Sequence, residues 1–162
     1  MVEWVVLQKI ISGGQTGADR AALDFAIARG IPHGGWCPRG RLAEDGAIPG
    51  RYQLSETPDS DFSRRTEWNV RDSDGTVIFS IAPALAGGSR QTAKLAQRYQ
   101  KPCLLLSRER DGETAAGKLR DFLAGQGIKV LNVAGPRQSQ EPEVGRFTIE
   151  TLEQWRMSDS ER

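Results

Sequence analysis

The feature that most constrains the fold is a regular alternation between short apolar runs and longer segments of helical periodicity. The predicted strands are Val5–Ile11, Ile31–Trp36, Thr76–Ser80, Cys103–Leu106 and Lys129–Val133. The predicted helices are Ala18–Arg29, Phe62–Arg71, Arg90–Tyr99, Thr114–Ala124 and Glu143–Met157. Strands that alternate with helices pair in parallel through right-handed crossovers. We therefore expect an α/β fold of three layers, with helices on both faces of a mostly parallel sheet of about five strands.

Local signals set the ends of the helices. Gly30 ends the first helix, and Ser60 or Asp61 precedes the second as an N-cap. Gly125 and Gly127 break the fourth helix. The last helix carries an apolar stripe that consists of Val144, Phe147, Thr151, Leu152 and Trp155.

Composition favours one ordinary cytoplasmic domain. We assign residues 1–157 to a single domain and 158–162 to a polar tail. A net charge of +1 produces no general electrostatic attraction to nucleic acid or to a membrane surface. A local basic patch is still compatible with this net charge. No apolar run is long enough to span a membrane, and the N-terminus is too acidic for a signal peptide. Two cysteines without metal-type spacing fit a reducing compartment, and Cys103 is expected to be a buried core thiol.

Ligands of parallel sheets bind beyond the carboxyl ends of the strands. Three segments lie there, Ser12–Gly17, Ser80–Thr92 and Asn132–Ser139, and each contains glycine. Because they belong to one edge of one sheet, we expect them to come together as a binding site.

The first of these loops, between a strand and a helix, has the composition of a phosphate-binding loop. Its glycines, Gly13, Gly14 and Gly17, allow close approach of the backbone, and the helix N-terminus offers free N–H groups. Gln15 and Thr16 add side-chain donors. The loop is not a P-loop, because no lysine follows its last glycine. It also does not match the dinucleotide-binding pattern G-x-G-x-x-G. The alternative is a tight turn that binds nothing.

The second loop contains Gly87, Gly88, Ser89 and Thr92. Ser89 is either a ligand-binding hydroxyl or the N-cap of the helix over Arg90–Tyr99. The third loop adds a cation, Arg137. Asp19, next to the first loop, either orients the site or is a first-turn acid favoured by the helix dipole.

The segment Cys37–Pro58 is predicted to be a long ordered loop, and loops of that length are usually functional or disordered. Arg39 and Arg41 in this loop, and Arg64 and Arg65 in the next helix, suit phosphate oxygens. The alternative is a solvated surface, which is the usual environment of a run of charged residues. Trp36 and Trp68 could stack on a flat heterocycle or belong to the core.

Candidates for catalysis are few. His33, the only histidine, is either a base or ligand, or purely structural. Cys37 is either a thiolate that contacts a soft ligand centre, or a plain loop thiol. Glu44 and Asp45 could do acid–base work or fix the loop through ion pairs. No metal site is expected.

The sequence resembles the putative molybdenum carrier family over nearly its whole length. The motifs that carry the resemblance are SGGQTGADRAALDFA, GGWCPRGRLAEDGAIPGRY, RTEWNVRDSDGTVIFS, GGSRQTAKLA and LNVAGPR. The resemblance extends to a Rossmann-like superfamily that includes the DNA-processing protein DprA and the lysine-decarboxylase-like phosphoribohydrolases. It implies a nucleotide- or phosphate-bearing ligand, whose binders are Gly13, Gly14, Thr16, Gly17, Arg65, Asn69, Gly88, Ser89 and Thr92.

The resemblance therefore implies a carrier or sensor that binds a phosphorylated small molecule, with the molybdenum cofactor or a nucleotide as its ligand. The phosphoribohydrolases carry Pro-Gly-Gly-x-Gly-Thr-x-x-Glu in their second loop, whereas Leu95 stands here where their catalytic Glu is expected. A hydrolase that uses Asp19, Glu44 or Glu67 instead is the first alternative. A single-stranded nucleic-acid module is the second, and it requires a continuous patch of Arg39, Arg41, Arg64, Arg65 and Arg90. Related proteins are often dimers, which makes a homo-oligomer an open alternative.

Overall fold

A five-stranded sheet, all of whose pairings are parallel, organises the computed structural model, which describes residues 7–160. The strands are β1 Lys9–Ile11, β2 His33–Gly34, β3 Trp36–Cys37, β4 Leu42–Ala43, β5 Gly46–Ala47, β6 Ser55–Glu56, β7 Gly75–Ser80, β8 Cys103–Ser107 and β9 Val130–Ala134. The helices are α1 Ala18–Arg29, α2 Phe62–Arg71, α3 Gly87–Arg98, α4 Arg108–Asp111, α5 Ala115–Gln126 and α6 Val144–Ser160, with a 3-10 turn at Gly112–Thr114.

The order of the strands positions the candidate loops. The sheet runs β2-β1-β9-β7-β8, so the last strand of the chain lies between β1 and β7. The loops that follow β1, β9 and β7 are therefore neighbours at the carboxyl edge of the sheet, where the strand order changes. The predicted α/β class with a parallel sheet of five strands is confirmed.

Helices cover both faces of the sheet. The main core lies between the sheet and α1, α5 and α6, and it includes Ile10, Phe79 and Leu131 from the strands. The predicted stripe of α6 is buried along its whole length. A smaller cluster of Val70, Leu95 and Ala96 holds α2 and α3 on the other face.

Most helix ends follow the local signals. Gly30 ends α1 in the left-handed conformation, and Asp61 is the N-cap of α2, where its side chain accepts a hydrogen bond from the Ser63 backbone N–H. The prediction that Ser89 caps α3 is wrong, because α3 begins at Gly87 and Ser89 lies in its first turn. The helix α5 continues through Gly125 and ends at Gly127.

The predicted second strand is divided at Gly35. This residue has φ 123°, and a Cβ atom there would lie 2.3 Å from the backbone oxygen of Ser12. The chain turns at this point, so β2 joins the main sheet while β3 pairs with β6. The predicted loop Cys37–Pro58 therefore has a structure of its own, which includes the β4–β5 hairpin.

Three predictions concern the ends and the edge of the structure. In the predicted first strand, Lys9–Ile11 forms β1, while Val5 and Val6 lie outside the described residues. Cys103 is exposed rather than buried, because β8 is an edge strand and only part of its apolar run is covered. The helix α6 extends through Ser160 into the predicted tail. Among the described helices, none combines the length and the apolar character needed to cross a bilayer.

Candidate ligand-binding cleft

The loops after β1, β7 and β9 enclose, together with α2, a cleft of about 100 Å³. Its wall contains residues of all three candidate loops. The lining residues are Gly13, Gln15, Asp19, Arg65, Thr66, Asn69, Gly88, Ser89, Thr92, Asn132, Val133, Ala134, Gly135, Pro136, Arg137 and Gln140.

Gln15 provides an unpaired donor in the wall of this cleft. Its Oε1 accepts hydrogen bonds from the backbone N–H of Thr16 at 3.0 Å and of Glu44 at 2.9 Å, which fixes the orientation of the amide. Its Nε2 is buried and has no partner in the described part of the chain. A buried donor without an acceptor costs free energy, so this atom is suited to an acceptor brought by a ligand.

Arg65 reaches the cleft from α2 and is almost fully buried. Its Nη1 donates a hydrogen bond of 3.0 Å to the backbone oxygen of Gly13, so the guanidinium is fixed against the first loop. Burial lowers the pKa of Arg65, and the nearby Asp19 carboxylate opposes this shift. The guanidinium still supplies positive charge and further N–H donors, because an arginine remains charged in proteins.

Asp19 is the carboxyl group of the cleft. It lies in the first turn of α1 and is buried, and its Oδ2 accepts a hydrogen bond of 3.3 Å from the Gln15 backbone N–H. Burial raises its pKa to about 6, against the opposing effect of the Arg65 charge. The group can therefore gain or lose a proton close to neutral pH.

The second and third loops complete the wall. The N-terminus of α3 faces the cleft through Gly88, Ser89 and Thr92. The Thr92 hydroxyl donates to the Gly88 backbone oxygen at 2.9 Å. The N-terminus of a helix offers N–H groups and a partial positive charge to an anion. From the third loop, Arg137 adds a second guanidinium.

Gly17 brings the first and third loops into contact. It has φ 83°, and a Cβ atom there would lie 2.4 Å from the backbone oxygen of Pro136. Only glycine adopts this conformation and permits this approach at low cost. The residue therefore acts on the geometry of the cleft from outside its wall.

A larger cavity of about 670 Å³ lies on the other side of the first loop. There, the Thr16 hydroxyl and its neighbouring backbone N–H groups are paired within the protein, although the buried Nε of Arg20 has no partner among residues 7–160. The Glu44 carboxylate accepts hydrogen bonds from the Thr16 hydroxyl at 2.6 Å and from the Ser139 backbone N–H at 3.2 Å. The Thr16 hydroxyl in turn accepts a bond of 3.1 Å from the Gln138 backbone N–H.

Comparisons with known proteins agree with this architecture. Residues 10–156 match the model of the family described as cpYpsA, the circularly permutated YpsA SLOG family. The chain belongs to this family. A crystal structure of a putative molybdenum carrier protein from Syntrophus aciditrophicus SB is 53% identical, with a TM-score of 0.90, and the match covers 92% of this chain and 94% of that one. The resemblance to the molybdenum carrier family is thereby confirmed. No curated protein gives a significant match.

The predicted binding residues are divided between the cleft and its surroundings. Gln15 and Asp19 line the cleft together with Gly13, Arg65, Asn69, Gly88, Ser89 and Thr92. Thr16 and Gly17 face the larger cavity, and Gly87 lines a third one. Gly14 packs on Leu54, and Arg39 lies outside the cleft on an exposed loop.

Asn69 lines the cleft, but both of its polar atoms are already paired. Its Oδ1 accepts a hydrogen bond from the Trp36 backbone N–H at 2.8 Å, and its Nδ2 donates to the Trp36 oxygen at 3.0 Å. Trp36 and Trp68 form an edge-to-face pair with ring centroids 4.7 Å apart, and neither lines the cleft. These contacts fix β3 to α2.

The other polar candidates have structural contacts. His33 Nε2 accepts a hydrogen bond from the Gln53 backbone N–H, and Cys37 is fully buried in a cluster with Leu23, Ile48 and Tyr52. The guanidinium of Arg41 donates to the backbone oxygens of Ile48, Pro49 and Tyr52. Asp45 forms an ion pair with Arg20. These groups stabilise the segment 37–58.

Thr66 and Gln140 line the cleft but were not among the predicted binders. Thr66 follows Arg65 directly on α2, so its position next to a predicted binding residue could have indicated it. Gln140 lies beyond the predicted third loop, in a polar segment without a recognisable motif, and the sequence gives no signal for it.

Proposed function

We propose that the protein is a binding protein, a carrier or sensor, for a phosphorylated small molecule of the nucleotide or pterin-cofactor type, and that the cleft binds the phosphate. The observation that carries this proposal is the buried Nε2 of Gln15, which has no acceptor among residues 7–160 and belongs to a residue in the wall of the cleft. A native protein rarely leaves such a donor unpaired, and a phosphate oxygen would satisfy it.

The charges around this donor support an anion. Arg65 and Arg137 contribute two guanidinium groups, and the N-terminus of α3 contributes backbone N–H groups. Asp19 is the opposing charge, and protonation near its pKa of about 6 removes that charge. The remaining balance is positive, which favours an oxyanion.

The size of the cleft indicates which part of a ligand it takes. About 100 Å³ is well below the roughly 300–1,000 Å³ of a site for a whole organic ligand. We infer that the cleft receives the phosphate group and that the rest of the molecule lies outside it.

The relative from Syntrophus aciditrophicus is called a putative molybdenum carrier, which makes the molybdenum cofactor a candidate cargo for this chain. The donors of the cleft suit the phosphate of such a cofactor. A thiolate ligand for the metal does not fit, because Cys37 is buried in a separate cluster and burial raises its pKa. We therefore propose that any such cofactor is held through its phosphate and pterin.

A thermal-shift panel tests the proposal. It contains ribonucleoside phosphates, neopterin monophosphate, ribose 5-phosphate and inorganic phosphate. A ligand at 100 times its Kd should add about 2.7 kcal/mol to the free energy of unfolding. Stabilisation by at least one phosphorylated compound, and none by its dephosphorylated form, is the expected result. The absence of stabilisation by every phosphorylated heterocycle contradicts the proposal.

A nucleotide-processing hydrolase is the second candidate, and the Asp19 carboxyl favours it. A circular permutation changes the order of loops along a chain and not their places in space, so an acid need not stand near Leu95. Asp19 lies in the cleft with a pKa of about 6, which suits general acid–base catalysis. Incubation with nucleoside monophosphates, followed by detection of free base, tests this candidate. Release that persists in Asp19→Asn would exclude this role for Asp19.

A nucleic-acid function receives less support. Among the five arginines that it requires, Arg65 is buried, Arg64 pairs with Asp59 and Arg41 is bound to backbone oxygens. The cytoplasmic location, the single-domain assignment and a homo-oligomeric state stay predictions.

A further inference from the structure

An apolar cavity adjoins the cleft on the side of β7. It has a volume of about 300 Å³, and it shares Ser89, Pro136 and Gln140 with the cleft. Because three residues line both spaces, a phosphate in the cleft would lie next to this cavity.

The cavity wall is formed largely by small apolar side chains. Ala82, Ala84, Leu85 and Ala86 belong to the loop that follows β7. The carboxylate of Glu141 also lines the cavity, but it already accepts hydrogen bonds from the N–H groups of Ile81 and Ala82. The space therefore suits an uncharged apolar group.

The loop is held in place at both ends. At its start, Glu141 binds two backbone N–H groups at 2.9 and 3.1 Å, and the Ser80 hydroxyl donates to the Ala82 oxygen at 2.6 Å. At its end, Arg90 donates to the Leu85 oxygen at 3.1 Å. A pre-ordered wall loses little conformational entropy when a ligand binds.

The larger cavity beside the first loop is a weaker candidate for the same part of the ligand. It shares no lining residue with the cleft, and its wall contains the charged groups of Arg20, Asp24, Glu44, Asp45 and Arg146. Of these two cavities in the described structure, the one at β7 shares lining residues with the cleft and has the more apolar wall.

We propose that the cavity lined by Ala82, Ala84, Leu85 and Ala86 binds the flat heterocycle of the ligand. The Gln140 amide would form hydrogen bonds with the polar atoms at the edge of this heterocycle. The inference rests on the proposed function, because it requires a phosphate in the cleft. Gln140 lines both the cleft and this cavity, and a side-chain amide carries both a donor and an acceptor. Purines and pterins carry adjacent donors and acceptors of this kind.

Calorimetric titration of two ligand classes tests this inference. The first class consists of the four ribonucleoside 5′-monophosphates and neopterin monophosphate. The second is ribose 5-phosphate, which carries a sugar and a phosphate without a heterocycle. In the unchanged protein we expect the best member of the first class to bind at least about tenfold more tightly than ribose 5-phosphate, because the heterocycle gains apolar contact.

Leu85→Asn removes apolar surface at nearly constant side-chain size, and it should abolish most of that difference while leaving the affinity for ribose 5-phosphate unchanged. Leu42→Asn, the same change at an exposed residue of β4, is the matched control and should change neither affinity. Ala84→Trp is a second variant, which fills the cavity instead of making it polar.

The two proposals fail in different ways. If no phosphorylated compound binds, the proposed function fails. If ribose 5-phosphate binds as tightly as every heterocyclic phosphate, or if the difference survives in both Leu85→Asn and Ala84→Trp, the cleft binds phosphate but the heterocycle subsite is excluded. A difference that disappears in both folded variants supports the subsite.

Discussion

The two sides of the Ser12–Gly17 loop are built from the same kinds of groups but differ in their partners. On the side of the β4–β5 hairpin, the Glu44 carboxylate accepts hydrogen bonds from Thr16 and Ser139, so the protein supplies its own anion. On the side of the cleft, the Nε2 of Gln15 is buried without an acceptor in the described structure.

The difference shows why glycine and donor content do not identify a site. Thr16 has the hydroxyl expected of a phosphate-binding loop, yet it is used to hold the hairpin against the loop. Within the loop, Gln15 has a buried donor without an acceptor; beyond the loop, the buried Nε of Arg20 is also unpaired among residues 7–160. An unpaired buried donor indicates a ligand, whereas a paired donor indicates internal structure.

The largest effect is expected for Gln15→Glu. The new carboxylate keeps the acceptor for the Thr16 and Glu44 N–H groups, but it replaces the free donor with a negative charge. Binding of AMP at pH 8, measured by calorimetry, should weaken by about 100-fold or more, since like charges in a binding site cost several kcal/mol. Gln126→Glu on α5 is the matched control and should bind normally. Normal binding by Gln15→Glu would show that the free amide does not face the ligand.

The next effect concerns Asp19, whose pKa is raised from 3.8 to about 6. A raised pKa means that the folded state favours the protonated form, so the stabilising contribution is present below pH 3.8 and is lost as the pH rises through about 6. Asp19→Asn avoids this loss. Its free energy of unfolding relative to the unchanged protein should therefore rise by about 2 kcal/mol between pH 4 and pH 7.

Urea denaturation at both pH values measures this change. Asp121→Asn, the same substitution at an exposed carboxylate on α5, is the matched control. A constant difference between Asp19→Asn and the unchanged protein would mean that folding does not raise the pKa of Asp19.

The smallest effect is expected on the paired side of the loop. Hydrogen bonds from Ser139 and Thr16 lower the pKa of Glu44 below its ordinary 4.5. Because Glu44 is exposed, Glu44→Gln should lower the Tm by only about 1–3 °C at pH 7. A lowered pKa makes this stabilisation present above pH 4.5, and it disappears as the pH falls through the folded-state pKa.

Differential scanning calorimetry from pH 7 to pH 3 follows that loss, and AMP binding should stay within about twofold of normal in Glu44→Gln. A large loss of AMP affinity in this variant would contradict the distinction between the two sides of the loop.

Much of the fold could be predicted because local patterns and final structure agree. The stripe of α6 from Val144 to Trp155 is buried as its periodicity indicated, and Gly30 ends α1. Predictions failed where a distant contact decides. Gly35 divides the second strand because it packs on Ser12, and Cys103 is exposed because β8 lies at the edge of the sheet.

The sequence alone determined the α/β class, the parallel sheet and the three loops at its carboxyl edge, because each follows from residue periodicity and local turn chemistry. Only the tertiary structure decided that Gln15 faces the cleft with a free donor while Thr16 pairs with Glu44. Glu44 is distant from Thr16 along the chain, and the fold of the intervening segment brings their side chains together. Packing between distant segments decides which donors are paired with an acceptor inside the protein. Local sequence patterns therefore do not predict this pairing.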